Sequence, residues 1–246
     1  MDFGTILGLI AFAALIFGGI VTNQITASLV NMHGFLVVFG GTFVAMFINT
    51  PFQYLVKSIL EIKPLMLDDE AAHMHRAVSM LVTLAEQCRM KGFSALKDAD
   101  RTVAYGFLAR VADAALEYND SNFVKQVIEQ EINQAADETN EIANVYRTMG
   151  ILSPMFGLLG TLMGIIGVLR QLSDPEGVGP AMAVAITSAF YGILFSNMIC
   201  VPIAGKIRAR IWLRVKLKSM ILEGILEIMR GSVPLVVERR LQSYLL

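Results

Sequence analysis

Thr161, Thr187 and Ser188 are the few polar side chains set deep in the apolar stretches of this 246-residue chain, and all three are hydroxyls. A hydroxyl at such depth either donates to a backbone carbonyl or offers an oxygen to a passing ion, and residue type alone leaves both open. No apolar stretch carries a central Asp, Glu, Lys, Arg or His; Arg170 lies at the end of one, where its long side chain can snorkel to the interface. The chain therefore has no titratable group of its own for relaying protons, and ion transport would need a partner that supplies one. Nothing points to an enzyme or to a bound cofactor. There is no nucleophile–base pair, metal-ligand spacing or phosphate loop. His73 and His75 are two residues apart and face different sides of a helix. Cys88 and Cys200 are too distant in sequence for a metal motif and read as structural thiols.

Two stripes of small residues accompany the hydroxyls. Ser153, Gly157, Gly160, Gly164 and Gly167 follow a 4-3-4-3 spacing and share one narrow helix face. Ala181, Ala185, Ser188, Gly192 and Ser196 form a similar stripe further on. Small faces let helices approach closely, either within the chain or as a wall around a partner's helices. Pro154 and Pro202 interrupt the same two stretches. Each is either a static kink or a hinge between a membrane part and a part outside it.

These features sit on elements that composition places in a bilayer. Over half the residues are hydrophobic and only 17% are charged, against roughly 25% in soluble domains. The net charge of −1 gives no case for nucleic acid as a partner. The apolar runs give four spans: Gly4–Val21, roughly Gly34–Asn49 with a possible earlier start near Ser28, Gly150–Leu172, and Ala181–Ala204. No basic residue precedes Lys57 and a second apolar run follows the first, so no cleavable signal peptide is expected. Residues 173–180, Ser-Asp-Pro-Glu-Gly-Val-Gly-Pro, read as a turn-rich loop.

Lysine and arginine set the orientation. The 22–33 and 173–180 loops have none, whereas 51–149 has ten and 205–246 has nine. Both basic segments and both termini are therefore expected on the cytoplasmic side of a bacterial inner membrane. The fold class is an all-α integral membrane protein in four parts. Residues 1–50 hold spans one and two, 51–149 a helical cytoplasmic domain, 150–204 spans three and four, and 205–246 a cytoplasmic C-terminal helix and tail. Within the domain, helical periodicity marks Ala71–Met90 and Val103–Tyr118. Asn119-Asp-Ser-Asn122 offers N-cap chemistry, and no Gly or Pro intervenes from Asn122 to Met149. One long helix is expected to run from there into the third span, and the fourth is expected to continue outward through Arg208–Arg230.

In this order the residues resemble the MotA/PomA family of flagellar stator subunits. Gly150-Ile-Leu-Ser-Pro-Met-Phe-Gly-Leu-Leu-Gly-Thr-Leu-Met-Gly164 is similar to that family's third span. Asp174-Pro175 and Gly179-Pro-Ala-Met-Ala-Val-Ala185 resemble its loop and the start of its fourth span, with Tyr191-Gly192, Asn197 and Pro202-Ile-Ala204 following. Phe39-Gly-Gly-Thr42 resembles the second span, and Pro234-Leu-Val-Val-Glu-Arg-Arg-Leu241 the C-terminal motif. The resemblance implies a homopentamer around a pair of one-span, MotB/PomB-like B subunits that bring the membrane aspartate. Ion flow then turns the ring, and the cytoplasmic domain pushes on a rotor protein of the FliG type. Four spans with an inside N-terminus separate the chain from the three-span ExbB/TolQ branch.

The sequence departs from that family at two places. The family pairs a cytoplasmic basic residue with a glutamate eight positions later, both facing the rotor. Arg89 matches the first, but Lys97 reverses the charge of the second, with Asp98 and Asp100 nearby on other sides of a helix. A rotor other than the flagellar one is therefore an alternative, in a non-flagellar energiser of the same superfamily driving another envelope process. An energiser of an outer-membrane partner and a non-conducting scaffold are the further readings. Sodium-type members carry a threonine matched by Thr161 and paired threonines that align with Ser188-Ala189. Ala189 lacks the second hydroxyl, so protons are the expected ion and sodium the alternative.

Overall fold

The computed structural model describes residues 7–8, 10–12, 14, 30–67, 70–173 and 175–245. Every regular element among them is a helix, as expected. The expected first span, Gly4–Val21, lies outside the described residues apart from a few helical positions, as do the polar residues after it up to position 29. Three described helices are long and apolar enough to cross a membrane: Met32–Asn49, Ser121–Arg170 and Glu176–Met229.

Helix α1 (Met32–Asn49) starts where Asn31 remains extended and its Oδ1 accepts a hydrogen bond from the Gly34 N–H at 3.1 Å. It ends at Thr50, which Pro51 holds in an extended conformation (φ −125°, ψ 132°). Helix α2 (Phe52–Leu67) follows, and then α3 (Glu70–Lys91), close to the expected Ala71–Met90. After a short 3-10 helix (Phe93–Asp98), the helix expected from Val103 begins only at Phe107, as α4 (Phe107–Tyr118). Ala104, Tyr105 and Gly106 take φ of 48°, 56° and 82°, a left-handed run that no α-helix can include.

Helix α5 (Ser121–Arg170) is the long helix read from the sequence. Asp120 caps it, its Oδ1 accepting from the N–H groups of Asn122 at 2.8 Å and Phe123 at 3.3 Å. Helix α6 (Pro175–Phe195) passes through a π turn (Ser196–Cys200) into α7 (Val201–Met229). The expected loop at 173–180 is therefore much shorter. Proline lacks only an N–H that the first turn leaves unpaired, so Pro175 opens the helix rather than breaking it. Helix α8 (Pro234–Gln242) ends the fold.

The chain forms two compact units, residues 1–67 with 141–207, and residues 68–140 with 208–246. The second buries a conventional apolar core that includes Leu81, Leu84, Leu96, Phe107, Val111, Ile128, Met220 and Ile225. The first reverses that pattern. It buries Thr42, Ser153, Thr187, Ser188 and Ser196 while exposing Phe43, Phe47, Leu158, Leu162, Ile166, Ile186 and Ile193. Large apolar side chains outside and small polar ones inside suit a lipid or partner-helix surround, where close packing rather than water exclusion holds helices together.

Candidate functional site: hydroxyls and a small-residue seam

The two small stripes meet each other inside the first unit. A methyl group built on Gly160 would lie 2.5 Å from both Cβ and Oγ of Ser188, and one on Gly164 would lie 2.7 Å from Cβ of Ala185. One on Gly157 would lie 2.9 Å from the Ser188 carbonyl oxygen, and one on Gly192 2.6 Å from that of Ser153. Serine hydroxyls stitch the same seam. Ser153 Oγ donates to the Gly192 carbonyl at 3.2 Å, and Ser196 Oγ to that of Gly150 at 2.6 Å.

Thr161 bridges the two helices, its Oγ1 lying 3.0 Å from the carbonyl oxygens of both Gly157 and Ala185. Thr187 donates to the Ala183 carbonyl at 2.6 Å and Ser188 to that of Val184 at 2.7 Å; both residues are buried. All three hydroxyl protons are thus directed to backbone carbonyls, leaving oxygen lone pairs as what each side chain can still offer an ion. Ala189 is half-buried beside them and adds only a methyl group.

Helix α1 completes the cluster in a way the sequence does not reveal. A methyl group on Gly34 would stand 2.9 Å from Thr187 Oγ1 and 3.0 Å from Ser188 Oγ. Tyr191 Oη accepts from the Asn31 N–H at 3.0 Å, and Phe39 packs on Phe195 with ring centroids 4.8 Å apart. The spacing along α1 gives no hint that one glycine there faces Ser188. The signal available was the Asn-x-x-Gly start of an apolar run, which marks a cap but not its neighbour.

Of the two prolines, Pro154 lies inside the unbroken α5, and a methyl group on Gly192 would come 3.1 Å from its Cα. Pro202 follows directly on the π turn at Ser196–Cys200, where the Val201 N–H bonds to the Ser196 carbonyl five residues back. The wider turn gives room for a ring that would crowd the carbonyl four residues earlier in an α-helix.

In the second unit, Arg89 is exposed at the end of α3, and Lys97 and Asp98 are exposed at the end of the 3-10 helix. Asp100 is not on a helix face, as the sequence suggested, but in the following turn. It accepts from Arg76 Nη2 at 2.8 Å and from the Thr102 N–H at 2.7 Å. The Thr102 backbone and hydroxyl, with Arg76, hold its carboxyl below the usual range. It therefore pins a loop.

Comparison with known proteins decides the class. A model of the MotA/TolQ/ExbB proton channel family matches residues 99–220. Motility protein A of Treponema pallidum (strain Nichols) is 30% identical over 246 residues, all of this chain and 94% of the relative. The chain belongs to this family. Chemotaxis protein PomA of Vibrio alginolyticus is 29% identical, covering all of this chain and 96% of that protein. The fold is that of the solved C. jejuni MotAB structure, with a TM-score of 0.87 and 22% identity over 99% of this chain and 96% of that one. The family is one of proton channels, not of enzymes.

Proposed function

We infer that this chain is the ion-conducting stator subunit of a flagellar motor, converting ion flow across the inner membrane into rotation. The observation that carries this reading is the match to motility protein A along the whole chain. The absence of any Asp, Glu, Lys, Arg or His within residues 34–56, 150–169 and 177–205 supports a two-component channel. The titrating carboxylate then comes from a one-span B subunit. Four spans, both termini in the cytoplasm, a homopentamer around the B subunits, and a FliG-like rotor at the cytoplasmic domain complete the proposal. Protons are the transported ion, passing beside Thr161, Thr187, Ser188 and Ala189, with Pro154 and Pro202 as hinges.

The test is proton flux in liposomes together with swimming. The chain reconstituted alone passes no protons; with its B subunit it does, and deletion of its gene stops swimming. Flux through the chain alone would overturn the two-component reading. Lys97 favours a second reading, a non-flagellar energiser of the same superfamily, because it reverses the charge at a position the resemblance assigns to the rotor. Unimpaired swimming after deletion would select it.

A further inference from the structure

Tyr191 grips the first turn of α1 at two points. Its Oη accepts from the Asn31 N–H at 3.0 Å, and its ring meets that of Phe35 edge-on, with centroids 6.3 Å apart and planes at 80°. Asn31, Gly34 and Phe35 follow helical spacing and share one face. Asn31 in turn accepts through Oδ1 from the Gly34 N–H at 3.1 Å. Gly34 is buried, and a methyl group on it would stand 2.9 Å from Thr187 Oγ1 and 3.0 Å from Ser188 Oγ. Thr187, Ser188 and Tyr191 fall within about one turn of α6 and present one side of it to α1. The chain of contacts from Tyr191 through Asn31 to Gly34 thus leaves α6, crosses to α1 and returns to α6 at the two hydroxyls. On its other side Ser188 meets Gly160 of α5, where an added methyl would lie 2.5 Å from Ser188 Oγ. Ser188 is therefore wedged between a glycine of α5 and a glycine of α1.

We propose that Tyr191 is a positioning residue for the ion-path hydroxyls: by holding Asn31 it sets the height of α1 along α6 and keeps Gly34 seated on Thr187 and Ser188. The proposal rests on the stator reading, in which those hydroxyls border the ion path. Small faces fix how near two helices lie. A directional hydrogen bond also fixes how far one is displaced along the other. In an apolar surround an unpaired backbone N–H is costly, so the Asn31 N–H holds to its phenol partner. A shift of α1 by one residue, about 1.5 Å, would carry Gly34 off Ser188. The two hydroxyls would then have room to change rotamer, and their lone pairs would no longer point in one fixed direction.

The test uses the full chain with its B subunit in liposomes, with proton flux counted per assembled complex. Tyr191→Phe deletes the hydroxyl and keeps the ring on Phe35. The complex is expected to assemble as wild type does, while flux falls about threefold to tenfold, the range of one interhelical hydrogen bond in a membrane. Asn31→Ala, which cuts the second link, is expected to lower flux as well. Gly34→Ala sets a methyl against Thr187 Oγ1 and is expected to do the same. Adding Tyr191→Phe to Gly34→Ala is the deciding measurement. A released α1 can move to admit the methyl, so the double variant is expected to conduct no less than Gly34→Ala alone, whereas two independent structural defects multiply. Multiplying effects, or wild-type flux in Tyr191→Phe or Asn31→Ala, would overturn the proposal. So would a Tyr191→Phe chain that no longer assembles, because the hydroxyl would then serve the fold as a whole rather than the site. If the wild-type chain with its B subunit passes no protons, the stator reading fails and this proposal with it. If the wild type conducts and Tyr191→Phe conducts equally, this proposal alone fails.

Discussion

Gly160 and Ser188 approach so closely that a methyl group on the glycine would stand 2.5 Å from the serine hydroxyl. Gly164 is tighter in kind, because its obstacles are the Ala185 backbone nitrogen at 2.7 Å and the Ala181 carbonyl oxygen at 2.8 Å, which no rotamer change can move. Gly164→Ala is therefore expected to destabilise the subunit by about 1–3 kcal/mol, the usual cost of overpacking, and Gly160→Leu by more. Gly179→Ala, where nothing lies within 4 Å, serves as the control and should leave stability unchanged or slightly raised. Thermal melting of the detergent-solubilised full chain reads the difference. Equal melting of Gly164→Ala and Gly179→Ala would rule out the seam as a stability determinant. The glycine face is occupied within the chain, so loss of assembly in such variants would follow from loss of the subunit's own packing.

Glu227 is 4% exposed and anchors the C-terminal segment. It accepts from Ser232 Oγ at 2.5 Å and Arg230 Nη1 at 2.7 Å, and also pairs with Arg240 of α8. Burial pushes its carboxyl up, but the Ser232 hydrogen bond and the two arginines outweigh it and leave it below the usual range. A depressed carboxylate adds stability above its unfolded pKa and loses it as pH falls through the folded value. The α8 anchor should therefore hold at neutral pH and weaken below about pH 4. Glu227→Gln should cost about 1–3 kcal/mol at pH 7, less than a fully buried pair because both guanidinium groups are half-exposed. Limited proteolysis after α8 residues, followed against pH, checks it. Identical cleavage of variant and wild type at pH 7 would sink the anchor.

The reversal at Ala104–Gly106 gives a third expectation. Gly106 has φ 82°, and a methyl group there would also touch the Arg101 carbonyl oxygen at 3.4 Å. Gly106→Ala should destabilise by about 1–2 kcal/mol, the usual cost of a left-handed side-chain residue. Denaturant unfolding of the full chain measures it, and no change in midpoint would contradict the strained geometry.

What the sequence disclosed and what it hid divide along physical lines. Helix α5 was legible because nothing from Asn122 to Met149 can interrupt a helix and Asp120 stands ready to cap it. The small stripes were legible as faces because they follow helical spacing. Which faces they would meet was not, since Gly160 against Ser188 is a tertiary fact. Ala104 and Tyr105 concealed the left-handed run, because only glycine and asparagine advertise positive φ. The tie of Asp100 to Arg76 was hidden because the two are 24 residues apart in sequence. Gly34 was legible only as the start of the second span, and its approach to Ser188 exists only once α1 packs against α6.

The last expectation concerns the ion. Protons can reach a partner carboxylate along water, whereas sodium must exchange part of its hydration shell for fixed oxygens. Thr161 spends its proton on the Gly157 and Ala185 carbonyls, and Ser188 on that of Val184. Both keep lone pairs, but these hydroxyls also occupy carbonyl oxygens that could otherwise face an ion. Ala189 contributes no oxygen at all. Rotation or swimming should therefore persist in sodium-free medium and stop with a protonophore. Ala189→Thr should be tolerated, because the position is half-buried rather than sealed, yet a single added hydroxyl should leave the ion unchanged. A motor that stops when sodium is withdrawn at constant proton-motive force would refute the proton assignment. Thr161 and Ser188 would then have to supply this chain's side-chain share of a sodium site through those remaining lone pairs.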